Sequence, residues 1–293
     1  AFKVMFNGDT YVSSSLYLAG TAITATAAEI NLLDGVTAVG SGILSSVTEN
    51  GNTGVRLSTS NTSNHGDIGS NAVDLSYSDS SSTTKGATGT SSTATGRETT
   101  ASGNYSTAMG RETTASGARS TAMGRSTTAS GDDSTAMGNN TVASGSYSIA
   151  MGYDTKASGN YSTAMGRETT ASGKYSIAMG RNTTASDFGS TVIGRYNSSG
   201  SSATSADSFS TSAPAFVVGN GADSSNKSDA FKVMFNGDTT VSNDLTVSGD
   251  VVISSDARLK SNIVSLGSTL PKLLQIDGKS YEMKGKQKIG VLA

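Results

Sequence analysis

Glycine returns at positions 96, 110, 124, 138, 152, 166, 180 and 194, a period of 14 residues held without a slip. A second glycine column, at 103, 117, 131, 145, 159 and 173, lies seven residues behind the first, and Asp187 breaks it in the last copy. A unit this short cannot enclose a core of its own, so each copy must be one coil of a stacked solenoid. Two corners per copy leave segments of about five residues, too brief for helices. In Ser106-Thr107-Ala108-Met109, strand alternation puts Thr107 and Met109 on one face and Ser106 and Ala108 on the other. Ile149 and Ile177 take the Thr107 position in other copies. Each copy therefore reads as strand–turn–strand–turn, with glycine at corners where a positive φ is expected. Seven coils stacked at about 4.8 Å make a rod of roughly 35 Å. The register predicts a buried column of Met109, Met123, Met137, Met151, Met165 and Met179. The Ala and Ser columns are expected to form a flat face that packs against identical neighbours.

Composition sharpens this reading. The 293 residues hold 35 Gly and no Trp, with 6% aromatic and 15% charged residues. Such a polar chain could be disordered, but a net charge of −2 and a strict repeat argue for order. Nearly balanced charge offers no basic surface for nucleic acid. Cysteine is absent, which removes disulfides and thiolate chemistry. No apolar run is long enough for a membrane helix. One coil supplies only a Met, an Ile or Thr and two Ala, too little to offset the entropy of ordering it alone. The expected fold is therefore all-β: a trimeric fibrous β-solenoid, a parallel β-roll of 14-residue coils.

The repeat A-M-G-x-x-T-x-A-S-G-x-x-S-[TI] resembles the head repeats of YadA-like trimeric autotransporter adhesins over residues 73–205. That resemblance implies a homotrimer and surface adhesion without naming a ligand.

The flanks carry a second repeat. Residues 1–20 recur at 230–249, the first ten being identical, and Asn236-Gly237 between alternating runs signals a hairpin. We read 1–25 as a β-hairpin stalk module and 206–255 as a β-prism neck that reuses it. Thr26-Ala27-Ala28-Glu29 has capping-box spacing, which predicts a short helix over 26–36. Residues 37–72 read as an irregular transition and hold the single histidine, His65, expected to be an exposed loop residue rather than a metal ligand.

Candidate chemistry is confined to the corners. Arg97, Arg111, Arg125 and Arg167 belong to a column, continued by Arg181 and Arg195, that could grip acidic glycans or simply solubilise the rod. Tyr105, Tyr147, Tyr161 and Tyr175 line the other corner as candidate sugar platforms or plain corner covers. The Thr pairs, such as Thr99-Thr100, point to opposite faces, which argues against an ice-binding array. The aspartate-per-turn pattern of calcium solenoids is absent. No paired carboxylates, phosphate loop or triad emerge, and no cofactor or metal site is expected. Coils filled by small residues leave no deep cavity, so ligand contact is expected at the outer corners.

The last stretch differs. Ser255-Asp256-Ala257-Arg258-Leu259-Lys260-Ser261-Asn262-Ile263, with Leu266, Leu273, Leu274, Tyr281 and Ile289 downstream, resembles the endosialidase-type intramolecular chaperone of phage tail fibres and spikes. We read 256–293 as the truncated start of that domain. The resemblance implies assisted trimerisation and self-cleavage of the Ser255–Asp256 bond, with Ser255 before the cut and Lys260 as its base. Attack by Ser255 Oγ on its own carbonyl would close a four-membered ring. Attack on the preceding carbonyl would cut before Ser255. Help from a neighbouring chain or from Asp256 is the open alternative. The chain is thus expected to be a viral tail or receptor-binding fibre in a virion, bound to other tail proteins and a host receptor, with a glycan as the expected receptor chemistry. It is expected to insert into no membrane and to catalyse nothing beyond its own cleavage. The alternative is the head of a cellular trimeric surface adhesin.

Overall fold

The structure, a computed structural model, describes residues 43–248, together with the backbone of the strands Phe2–Val4, Thr10–Val12, Tyr17–Leu18, Thr21–Ala22, Gly278–Met283 and Lys286–Val291. The chain divides into two compact units, residues 1–244 and 245–293. In the first, eleven consecutive parallel strands from Asn52–Leu57 to Pro214–Asn220 enclose a β-solenoid of about 10 turns. The second contains an antiparallel hairpin, Gly278–Met283 with Lys286–Val291. The helix expected over 26–36 lies outside the described residues.

Each 14-residue coil has one long and one short strand. Thr107–Arg111 is the long strand of its coil, and Thr114–Ala115 is the short one. Identical positions of successive coils pair without offset: Ala108 with Ala122, Met109 with Met123, Gly110 with Gly124. Fourteen residues per coil thus become two parallel ladders, one of fourteen strands once flanking hairpins are added and one of eight. The ladder runs past the regular repeat at both ends. Val55 pairs with Val73, Val73 with Thr93, and Thr191 with Phe216, so part of the 37–72 segment read as irregular and a strand of the 206–255 neck join the solenoid ladder.

The corners explain the two glycine columns by different physics. Gly110, Gly124, Gly138, Gly152, Gly166 and Gly180 have φ between 124° and 129°, and a Cβ on Gly110 would lie 2.0 Å from the Gly124 carbonyl oxygen. The second column lacks the positive φ: a Cβ on Gly117 would again meet the next coil's carbonyl oxygen at 2.0 Å, so contact alone demands glycine there. Left-handed backbone falls instead to non-glycine neighbours, including Glu112 (φ 57°) and Tyr161 (φ 60°). Their amides stay satisfied by the preceding coil, Glu112 N–H donating to Arg97 O and Tyr161 N–H to Ser146 O, both at 2.8 Å. Side chains repeat the device: Asn104, Asp132 and Asn160 each accept from a backbone N–H 14 residues earlier, at 2.9–3.1 Å.

The faces are the reverse of the sequence expectation. Ala108, Ala122, Ala136, Ala150, Ala164 and Ala178 are fully buried, as are the short-strand alanines from Ala87 to Ala185. Met109 and Met137 are 40% and 38% exposed, and the other repeat methionines are half-buried. The interior holds two Ala, a Ser and a Thr per coil, because corners this tight bring the two ladders too close for a Met side chain. Register alone put the methionine column inside; the volume between the ladders puts alanine there.

Both ends are closed by structures that break the repeat. At the start, Leu44–Glu49 pairs antiparallel with Asn52–Leu57. At the end, the antiparallel strands Asp229–Met234 and Thr239–Val241 follow Pro214–Asn220, with the turn at Asn236-Gly237 as expected. Asp187 can replace glycine because no further regular coil stacks on it. Its buried carboxylate accepts from the Thr204 and Ser205 N–H groups of the covering loop.

The core hydroxyls of Thr99, Thr113, Thr127, Thr141, Thr155, Thr169 and Thr183 are buried without a hydrogen-bond partner. Thr127→Val therefore removes a desolvated group at almost constant volume. Its thermal unfolding midpoint should lie within about 2 °C of the parent or above it. Gly124→Ala, by contrast, should lower the midpoint by about 5 °C or more. Equal effects of the two would contradict this account of the coil.

Candidate functional site

The corner beside the first glycine column carries the arginines. Arg97 is held by Asp79. Arg111 lies 3.0 Å from the Glu112 carboxylate and Arg167 3.0 Å from that of Glu168. Each acid is thereby more acidic than usual. Asp79 is lowered first by its hydrogen bond with Arg97, Glu112 first by Ser126 and then by Arg111, and Glu168 first by Asn182 and then by Arg167. Arg167 also lies over the Tyr153 ring at 5.5 Å. Arg125 is exposed and forms no salt bridge among the described residues. The column therefore mixes neutralised and available cations, is interrupted by Asn139 and Tyr153, and is not a continuous positive stripe.

The opposite corner carries the tyrosines. Tyr147, Tyr161 and Tyr175 stack at 4.8 and 4.9 Å between ring centroids, and Phe188 closes the series edge-on at 5.4 Å. A sugar inserted between two rings needs about 7 Å, two van der Waals contacts. The rings therefore occupy one another's faces and present edges and hydroxyls to solvent. Arg119 and Asp133 interrupt the column with a two-pronged ion pair at 2.7 Å in both bonds, which lowers the Asp133 carboxyl and raises the guanidinium. Tyr105, 63% exposed, stands beyond this pair with no ring stacked on it among the described residues.

The sequence reading missed a polar cluster at the start of the solenoid. His65 is buried, contrary to the expected exposed loop, because the ladder folds its segment against the first coils. The register aligns Arg56, Asp74 and Ala94, so two charged residues occupy positions filled by alanine in later coils. Arg56 reaches Glu49 Oε1 at 2.9 Å, Asp74 Oδ2 at 3.3 Å and the Gly66 carbonyl at 2.9 Å. His65 Nδ1 lies 3.2 Å from Asp74 Oδ2, while Ser76 Oγ donates to Asp74 Oδ1 at 2.5 Å. This is not a hydrolytic triad, in which serine and aspartate engage opposite ring nitrogens. Here both approach Nδ1, and Ser76 spends its proton on Asp74. Nothing but the break in the Ala column marked these residues in the sequence.

The coils are filled, but open cavities of about 470 and 310 Å³ lie near the two ends. Among the described residues, no group of three or more His, Cys, Asp and Glu converges on a metal position. Ser255 and Lys260 lie outside the described residues.

Residues 87–113, 115–141, 143–169 and 171–197 match the YadA head domain repeat, each match spanning two copies. Residues 255–293 match the chaperone of endosialidase family. No curated protein matches the chain. The two families imply homotrimer formation, and the repeat family implies a surface-exposed setting.

The buried cluster makes a pH prediction. Burial alone would raise the Asp74 carboxyl, but hydrogen bonds from His65 and Ser76 more than offset it, and the net position is below the ordinary 3.8. A depressed folded value stabilises the fold above the unfolded value, and that contribution is lost as pH falls through the folded one. Thermal unfolding followed against pH should therefore show stability falling below about pH 4. Asp74→Asn should flatten part of that fall and destabilise the protein at neutral pH, where Arg56 loses a partner. A parallel-shifted pH profile would contradict the assignment.

Proposed function

Starting from a chain whose repeats belong to the YadA head family and whose last segment belongs to the chaperone of endosialidase family, we propose that it is the shaft and adhesive segment of a homotrimeric viral tail fibre. The observation that carries the trimer is the outer face of the long-strand ladder. Thr107 with Met109, Thr135 with Met137, Ile149 with Met151 and Ile177 with Met179 stack in register as a straight, half-exposed apolar stripe. Single chains rarely leave such a stripe to water. Three copies brought together on these faces bury it along a common axis, and the methionines become the oligomer core rather than the coil core.

The viral setting rests on the chaperone segment, while the head repeats alone would equally serve a cellular trimeric adhesin. Receptor contact belongs on the surfaces that remain outside the trimer. Of the corner residues, Arg125 and Tyr105 keep their chemistry free for a glycan. Arg97, Arg111 and Arg167 are engaged by acids, and Tyr147, Tyr161 and Tyr175 offer ring edges and hydroxyls rather than open faces.

Maturation completes the reading. Ser255 is the proposed nucleophile and Lys260 its base, made neutral by burial or a nearby cation in the assembled chaperone. Because Ser255 Oγ meets its own carbonyl only through a four-membered ring, the partner's Ser255 attacks that carbonyl. The Asp256 amine leaves with the proton that Lys260 took from the hydroxyl, and water then hydrolyses the ester, leaving a carboxyl and a free serine. Coupling this site to neighbouring chains would make the cut a checkpoint for correct assembly.

One experiment tests assembly and cleavage together in the full-length protein, by sedimentation and denaturing gel. Met137→Asp should weaken the trimer while leaving a folded β-rich chain, because a charge in the closed stripe is costly and a charge on a free chain is not. Ser255→Ala and Lys260→Ala should stay uncleaved. Normal trimers of the first variant would overturn the interface, and normal processing of either of the others would overturn the dyad.

A further inference from the structure

The core column leaves the last coil as a lysine. Register carries it from Val192 to Val217, then across two antiparallel strands to Lys232 and Thr240. Val192 and Val217 are fully buried, whereas Lys232 is half-buried. Among the described residues no coil covers this end, and an open cavity of about 470 Å³ forms there, lined by Lys232, Lys227, Asn220, Asn243, Asp229 and neighbouring hydroxyl side chains.

The lining offers mainly donors. Asp229 is its one carboxylate, and its two oxygens already accept from the Ser198 and Ser199 N–H groups, each at 2.8 Å. The Asn220 side-chain oxygen accepts from Ser228 Oγ at 2.7 Å, which leaves its amide nitrogen for another acceptor. Neither lysine forms a salt bridge among the described residues. Two ammonium groups and two side-chain amides around an open space select a ligand rich in acceptors and negative in charge. Ser242 and Thr240 add the hydroxyl partners that a polyol uses. The volume falls in the roughly 300–1,000 Å³ range of small-ligand sites.

We propose that this end-of-solenoid cavity binds an acidic saccharide unit, one carrying a carboxylate or a sulfate. The inference rests on the adhesive reading above and gives it a ligand class and a place away from the corners. Direct recognition uses the paired ammonium groups of Lys227 and Lys232 on the acid, with Asn220 and Asn243 on adjacent ring oxygens.

The test titrates the 293-residue chain with sialyllactose, a sulfated lactose, plain lactose and inorganic sulfate, by calorimetry or protein-observed NMR. At least one acidic sugar should bind about tenfold or more tightly than both lactose and inorganic sulfate. Which of the two does so tells carboxylate from sulfate. Lys227→Gln with Lys232→Gln should abolish the preference with an unchanged unfolding curve, and Lys156→Gln, elsewhere on the surface, should keep it. Lactose binding equally well, inorganic sulfate binding equally well, or an unaffected double variant would each overturn the site. If the double variant still attaches to host cells as the parent does, this cavity is wrong and the adhesive reading stands. If the parent binds neither cells nor any of the sugars, both fall.

Discussion

Where Gly110 passes over Gly124, the backbone of one coil rests directly on that of the next, with no room for a single methyl group between them. The same contact recurs at both corners of every regular coil, and the remaining features follow from it. Backbones that touch at two points per coil can stack only in register, so identical residues must form columns. Corners that turn so sharply hold the two ladders close together, so in the regular coils it is chiefly Ala, Ser and Thr that fit between them, with Val192 entering only at the last coil. Larger apolar side chains are pushed to the outer face, where they form a stripe that a lone chain leaves wet. A fold that cannot bury its methionines within one chain has a physical reason to assemble from several.

A stacked ladder also has open ends, and unpaired edge strands invite uncontrolled growth. This chain closes both with antiparallel strands, which cannot template another parallel coil. At each end the small apolar core column changes character, to Arg56 and Asp74 at one and to Lys232 at the other. The first end is fully networked: Arg56 has three partners and Asp74 accepts from Arg56, His65 and Ser76. At the second, the ammonium group meets an open cavity. The two ends solve one geometric problem with different degrees of satisfaction, and the unsatisfied end is where a ligand gains most.

The period, the parallel coils and the turn at Asn236-Gly237 were legible in the sequence, because each depends on glycine spacing alone. The sidedness of the coil was not. Alternation separates Met109 from Ala108 but does not say which face is inside, and that choice depends on corner geometry that side-chain hydrophobicity cannot reveal. The outermost coil at each end was hidden for another reason: spacings of 18 and 25 residues between paired positions (Val55 to Val73, Thr191 to Phe216) carry no visible period. His65 was misjudged with them, since its polar neighbours in sequence are not its neighbours in space. The arginine and tyrosine columns were found by counting, but only coordinates show that half of the six arginines are paired with acids and that three of the tyrosines stack on one another.

The central claim is that corner geometry, not hydrophobicity, decides which side chain enters the coil. Exchanging the neighbours Ala136 and Met137 leaves composition, charge and overall hydrophobicity untouched and alters only which face each occupies. Thermal unfolding of the double variant Ala136→Met/Met137→Ala, followed by far-ultraviolet circular dichroism, measures this directly. The account predicts a midpoint lower by about 5 °C or more, because a methionine cannot be accommodated between the ladders. An unfolding curve that overlays the parent's would contradict it.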